Sequence, residues 1–344
     1  MQTLWKTSQN GGEVKRLLPL LVPTVVVLIL WAGIEARNRH PVDRVFMGFD
    51  TWIEVEVLRQ HLDLLDTFHV YIEEMDALWD RYSQESLLSQ INESNMVVKV
   101  DEETFQFLKR TLDISTKTHG YFTLLAGSLS DLWGFGSEPR IPQEEEIEQA
   151  VELIRESRIE LREESREVAR IGQATLDFGG AAKGFLVERL GEFLQEEEAS
   201  EGLINAGGTI YSLGRNTVVG IIHPREDSLI GSLNIRDQAV STSGDYYRYF
   251  DADGVRYHHI FNPLDGYPNQ DFASVTVVDE SALKTDILAT AVMAGGKEAF
   301  MMVADTFPGV PLIAVTPKGD IIANREGEEI FTPFEKKDEK RIFN

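Results

Sequence analysis

The run of apolar and polar positions divides the chain into stretches of period two, which predict strands, and stretches of period 3.6, which predict helices. "FDTWIEVEVL" alternates as a half-buried strand does. "LDLLDTFHVYIEEMDALWDRY" and "EETFQFLKRTLDISTKTHG" space their apolar residues as helices, the second stopping at Gly120. "QEEEIEQAVELIRESR" predicts a strongly amphipathic helix whose acidic run is a solvated face. "EVARIG", "ATLDF", "GLINAGGTIYSLG", "NTVVGII" and "SVTVV" then read as strands. Helices in "AAKGFLVERLGEFLQEEE" and "LKTDILATAVMAGG" interrupt them. No fixed-period repeat and no Ser/Pro/Gly linker divides this region, so one α+β domain is expected over residues 42–335, with a charged tail at 336–344.

One stretch fits no such domain. Leu17 to Ile34 is uncharged and mostly apolar, preceded by Lys15 and Arg16. It approaches the ~20 residues that span a bilayer as helix, and no small-x-small cleavage site follows it. An uncleaved transmembrane signal anchor over 17–34, behind a short tail at 1–16, is therefore the expected reading, and a cleaved signal is the other. Three basic residues precede the run (Lys6, Lys15, Arg16) and three follow (Arg37, Arg39, Arg44), so charge does not set its orientation.

Composition narrows the chemistry. The 344 residues carry 57 Asp and Glu against 33 Lys and Arg, a net charge of −24, which argues against nucleic acid as a partner. A phosphate-bearing ligand would need local help from a lysine, a helix N-terminus or a cation. With no cysteine, thiol nucleophiles, disulfides, zinc–thiolate sites, iron–sulfur clusters and lipoprotein anchoring all fall away.

Four stretches hold candidate chemistry. In "TLDFGGAAKGF" a predicted strand runs into Gly179 and Gly180 and a helix starts near Ala181, with Lys183 in its first turn. The stretch reads either as an ordinary strand–helix turn or as an anion cradle at a helix N-terminus. "GLINAGGTIYSLG" places Gly207 and Gly208 inside an apolar strand, the mark of a bulge or of close backbone approach. In "KTDILATAVMAGG", Asp286 and Thr290 stand four apart on one helix face, a sparse oxygen shell of the kind Mg²⁺ tolerates; a surface Asp with a packed Thr is the other reading. In "YHHIFNPLDGYP", His258 and His259 would point to opposite faces of a strand, one into a site as acid or base and the other to solvent. Before it, "STSGDYYRYF" reads as a Ser/Thr/Gly turn and an aromatic strand.

Taken in order, "MGFDTWIEV", "DRYSQESLLSQIN", "LWGFG", "LDFGGAAKGF", "LINAGG", "STSGDYYRYF", "HHIFNPLDGYP" and "TDILATA" resemble the motif series of the FAD:protein FMN transferases, the ApbE-like flavin transferases. The resemblance runs from about Phe46 to about Pro333. It implies the single mixed α/β domain of that family behind the membrane helix. It also implies a membrane-associated extracytoplasmic enzyme, on the periplasmic side of the inner membrane. Such an enzyme moves FMN from FAD to a Thr or Ser hydroxyl of an acceptor protein, for example a membrane redox complex subunit, and releases AMP with the help of Mg²⁺. By match to the motifs, Met47, Tyr82, Asp177, Lys183, His259 and Ile260 would contact the flavin nucleotide. Asp286, Thr290 and the Gly180 carbonyl would hold the metal, with His259 and Asp286 catalytic. Thr123 and Leu124 stand where the family carries Asp-Pro, and Phe261-Asn262-Pro263 where it carries Ile-Asp-Pro. "MGFD" replaces Met-Gly-Thr, and Gly180 replaces a common Ala. A Mg²⁺-dependent FAD pyrophosphatase and a flavin-binding accessory protein without turnover are the alternatives. No Asp-x-x-Thr-[Ser/Ala]-Thr acceptor segment occurs in the chain, so self-flavinylation is not expected.

Overall fold

The first expected strand is half of a hairpin. In the computed structural model, which describes residues 38–94 and 96–334, β1 (Pro41–Gly48) pairs antiparallel with β2 (Thr51–Leu58). Then come α1 (Leu64–Trp79), α2 (Leu87–Glu93), β3 (Val98–Lys99), α3 (Glu102–Thr116), α4 (Gly127–Leu132), α5 (Glu144–Glu156), β4 (Arg158–Arg162), β5 (Glu167–Ile171) and α6 (Ala182–Glu196). The β-rich half holds β6 (Gly202–Ala206), β7 (Thr209–Leu213), β8 (Thr217–Ile222), β9 (Leu229–Ile235), β10 (Gln238–Gly244), β11 (Tyr249–Ala252), β12 (Val255–His258) and β13 (Ser274–Asp279). It closes with α7 (Ala282–Thr306), β14 (Leu312–Val315), β15 (Ile321–Ala323), α8 (Arg325–Ile330) and β16 (Phe331–Pro333). The expected apolar anchor at 17–34 and the charged tail lie outside the described residues.

An eight-stranded antiparallel sheet, ordered β1-β2-β6-β7-β10-β13-β14-β15, is the frame. Its inner face buries Ile53, Val55 and Val57 against Leu65, Phe68 and Ile72 of α1 and Leu186, Leu190 and Leu194 of α6. Farther along, Val275 and Val277 pack on Leu288 and Val292 of α7. The outer face is covered over β10, β13 and β14 by a small sheet ordered β16-β9-β8, where Val219, Ile221, Leu233 and Ile235 meet Val240, Val278 and Ile313. A second core of aromatic rings joins α1, α3 and the chain around α4. Trp79 stacks on Phe107 with centroids 4.4 Å apart, and the fully buried Trp133 donates its Nε1–H to the Gly266 carbonyl at 3.0 Å.

α7 is the one helix among the described residues long and apolar enough to cross a membrane, but 67% of its apolar window is buried in the fold. It is the central core helix. It kinks at Gly296, whose φ of 63° no helix residue adopts, and Asp271 restarts it by accepting the Lys297 N–H at 3.0 Å.

Three sequence readings are corrected here. "ATLDF" is extended but pairs with no strand, because side chains and loops take its backbone groups. Asn92 accepts the Leu176 N–H at 2.6 Å and donates to its carbonyl at 3.0 Å, and the Asp177 N–H reaches the Leu124 carbonyl at 2.7 Å. "GLINAGGTIYSLG" is two strands. Gly207 and Gly208, at φ 56° and 97°, form the two-residue turn that the right-handed twist of a hairpin favours. The Ser241–Gly244 stretch, expected as a turn, completes β10 because it lies in the middle of the sheet, between β7 and β13.

Candidate active site

The helical core, the α6 N-terminus, the sheet edge and the His259 loop enclose a cleft of about 620 Å³, a size suited to a cofactor-sized ligand. One wall is the glycine turn. Asp177 accepts the Gly179 N–H at 2.8 Å and so bends the chain back before α6. That helix has no side-chain N-cap of its own. The role falls to Asp286 of α7, which accepts the Gly184 N–H at 2.8 Å across the helix interface. Gly184 makes this approach possible: a Cβ there would lie 2.6 Å from both the Ala282 carbonyl oxygen and the Asp286 Cβ.

Asp286 is 5% exposed. Burial raises its carboxyl above the ordinary range, against the opposing pull of Lys183 and the Gly184 N–H. One turn on, Thr290 lines the same wall, its Oγ1 3.4 Å from the Gly180 carbonyl. Carboxylate, hydroxyl and carbonyl converge here, and the second Asp286 oxygen makes no hydrogen bond within the described residues. This is a hard, all-oxygen donor set, and it fits Mg²⁺ better than any softer ion. Lys183 folds back toward the turn, its Nζ 3.1 Å from the Gly179 carbonyl.

His259 and Ile260 line the same cleft. His259 is half-buried, and its Nδ1 lies 3.1 Å from the Arg248 carbonyl. A carbonyl only accepts, so this contact places the proton on Nδ1 and leaves the Nε2 lone pair free. Burial, with the charge of Arg248, depresses the ring pKa to about 3, so the imidazole is neutral at physiological pH. His258, expected at one face or the other, does not reach solvent. It is 1% exposed and holds the following loop, its Nε2 2.9 Å from the Asn269 carbonyl.

Of the residues singled out from sequence, Tyr82, Asp177, Gly180, Lys183, His259, Ile260, Asp286 and Thr290 all line the one cleft. The Tyr82 ring packs against Gly136 of "LWGFG", where an added Cβ would sit 2.7 Å from it. Met47 is not among them. It is on the outer face of the hairpin, 58% exposed, because the alternation of β1 turns it away from α1. The departures at Thr123 and Asn262 keep their turns: Thr123 Oγ1 accepts the Leu125 N–H at 3.1 Å, and Asn262 Oδ1 accepts the Leu264 N–H at 3.0 Å.

Two groups escaped sequence reading. Arg81 stands directly before Tyr82, yet its partners are 50 and 96 positions away: Asp131, gripped at 2.8 and 2.9 Å, and Asp177 at 2.6 Å. Burial works against the Arg81 charge, but the two carboxylates outweigh it and hold its pKa above the ordinary value. Phe49 and Asp50 form the β1–β2 turn with φ of 53° and 57°, at about 1–2 kcal/mol each for residues with a Cβ. Asp76 holds the strained turn by accepting the Phe49 N–H at 2.8 Å, and the Phe49 ring meets the edge of Trp79 at 6.2 Å.

A family model described as the ApbE family matches residues 49–314. An FAD:protein FMN transferase of Klebsiella pneumoniae (strain 342) is 33% identical over 243 residues, 69% of this chain and 77% of the relative. A second, of Vibrio cholerae serotype O1 (strain ATCC 39541), is 32% identical over 264 residues, 72% and 78% of the two chains. The crystal structure of the ApbE protein of Thermotoga maritima MSB8 superposes with a TM-score of 0.78 at 30% identity, over 85% of this chain and 99% of that one. Flavin transferase ApbE from Vibrio cholerae superposes at 0.73 and 27% identity, with coverage of 85% and 99%.

Proposed function

The chain belongs to the ApbE family, and from that premise we propose that it is an FAD:protein FMN transferase, attaching FMN to a Thr or Ser hydroxyl of an acceptor protein and releasing AMP. The observation that carries this reading is the convergence of the Gly179–Gly180 turn, Lys183, Asp286, Thr290 and His259 on one cleft large enough for a dinucleotide.

The acceptor oxygen attacks the phosphorus of the FMN half. The bond from that phosphorus to the oxygen of the AMP phosphate breaks, and AMP departs with the electron pair. The hydroxyl proton goes to Nε2 of His259, whose Nδ1–H is held on the Arg248 carbonyl. Burial most of all, then the charge of Arg248 and more weakly that of Lys183, depress the basicity of His259. A bound pyrophosphate offsets these two charges and so moves the basicity of the ring upward, against the larger effect of burial. Lys183 and the helix N-terminus meet phosphate charge that the acidic remainder of the protein would repel. Asp286, Thr290 and the Gly180 carbonyl would hold Mg²⁺, which would supply charge stabilisation to the departing phosphate. The remaining binding groups set position, which is most of what phosphoryl transfer requires. Anchorage through the apolar 17–34 run, with this domain on the extracytoplasmic side, belongs to the same reading.

The test supplies the full chain with FAD, Mg²⁺ and a cell extract prepared without this protein. AMP release coupled to a flavin-fluorescent band on a denaturing gel, both abolished by EDTA, is the expected result. AMP release without any fluorescent band would replace the transferase with a pyrophosphatase. FAD binding without AMP would leave only a flavin carrier.

A further inference from the structure

Directly paired residues trace one line across the outer face of the large sheet: Val45, Glu54, Asn205, Ile210, Val240 and Val278. At the β10–β13 end this face is buried under the small sheet. At the β1–β2 end nothing among the described residues covers it. There Trp52 is 66% exposed, its cross-strand partner Met47 58% and Val45 51%. An exposed tryptophan beside two exposed aliphatic side chains is an apolar surface of the kind that marks an interaction site. The patch also adjoins the cleft, because Met47 and Trp52 flank the turn whose Phe49, Asp50 and Thr51 line the cleft wall. Three carboxylates rim it, Asp43, Asp50 and Glu54, none in an ion pair among the described residues, on a chain of net charge −24.

We infer that this outer face of the β1–β2 hairpin is where the acceptor protein docks. The segment bound there carries apolar side chains flanked by lysine or arginine, and it delivers its hydroxyl over the Phe49–Thr51 turn into the cleft. The inference rests on the transferase reading and gives its protein substrate a surface. A hydroxyl in the cleft brings its polypeptide over one of the rims, and this rim is apolar, exposed and, among the described residues, unpartnered. The acidic border selects basic flanks and, through them, makes docking sensitive to salt.

The experiment uses the full chain, Mg²⁺ and FAD, with extract from cells lacking this protein as the source of unmodified acceptor. Trp52→Ser and Val45→Ser lie outside the cleft. In these variants the rate of fluorescent-band formation at limiting extract falls by about tenfold or more, while FAD affinity, read by flavin fluorescence, stays unchanged. A photo-cross-linking residue at position 45 joins the chain to the same fluorescent band. Labelling at the wild-type rate in both variants overturns the docking assignment and leaves the transferase standing. So does a cross-link only to a second copy, within the chain, or to lipid in the extract. Absence of any fluorescent band with the unaltered protein overturns the transferase reading, and the docking inference with it.

Discussion

Asp286→Asn separates what a buried carboxylate does for the fold from what it does for the reaction. The side chain is 5% exposed and accepts the Gly184 N–H at 2.8 Å. An amide oxygen can keep that bond. A charge-assisted bond of about 1.5–3 kcal/mol then becomes a neutral one of about 0.5–1.5, a loss near 1 kcal/mol. Against this, the metal-free protein no longer buries an ionised group, which costs several kcal/mol even after relaxation. The second effect is larger, so metal-free D286N should be at least as stable as the parent. For the proposed reaction the balance reverses: losing the carboxylate that would hold Mg²⁺ should remove transition-state stabilisation of about 3–4 kcal/mol, a factor of ~10²–10³ in AMP release. Thermal unfolding with and without Mg²⁺ checks both halves. Mg²⁺ should raise the parent's Tm and leave that of D286N unchanged. The pH dependence gives a further readout. The folded protein holds this carboxyl above its ordinary range and so binds the proton more tightly than the unfolded chain does. Metal-free stability therefore falls as pH rises from the ordinary carboxylate range through the raised value, and D286N removes that slope. A metal-free D286N that unfolds far below the parent, with activity lost only in proportion to unfolded protein, would refute the reasoning.

Other outcomes follow from single contacts. Gly184→Ala places a Cβ 2.6 Å from the Ala282 carbonyl and the Asp286 Cβ; it should cost about 1–3 kcal/mol by denaturant titration and lower AMP release by displacing Asp286. His259, neutral in the fold down to about pH 3, contributes stability that is present above about pH 6.5 and lost as pH falls toward 3. Because the ring keeps an edge to the cleft, His259→Gln should flatten that decline by at most about 2 kcal/mol at pH 5, as urea titrations at pH 5 and 7 would show. Replacing Phe49-Asp50 by Asn-Gly relieves two left-handed residues, worth about 2–4 kcal/mol together, but gives up the Phe49 contact with Trp79, so it should raise stability by a net of about 1–2 kcal/mol. It should also weaken FAD binding, read by fluorescence titration, since Phe49 lines the cleft.

Much of this protein is legible along the chain. Periodicity locates α1, α3, α5, α6 and α7 because each must turn one apolar face to a core, and that demand is written at fixed spacing. Asp286 and Thr290 share a wall because residues four apart on a helix do so in any fold, and Gly179–Gly180 precede a helix because the local sequence says so. Other features depend on distant partners. Whether an extended run such as "ATLDF" joins a ladder depends on Asn92 and Leu124 reaching it first. The importance of Arg81 is invisible until two carboxylates, each at least 50 residues away, close on it. The outward face of Met47 was decided by the register of β1 on β2, since a strand shows its two faces alternately and only the packing of α1 chose the buried one. Sequence alone determined the local elements and the candidate residues they carry at fixed spacing, such as Asp286 with Thr290 and the Gly179–Gly180 turn with Lys183. Tertiary structure alone decided which of them meet, because burial, register and long-range charge pairing are properties of the assembled chain.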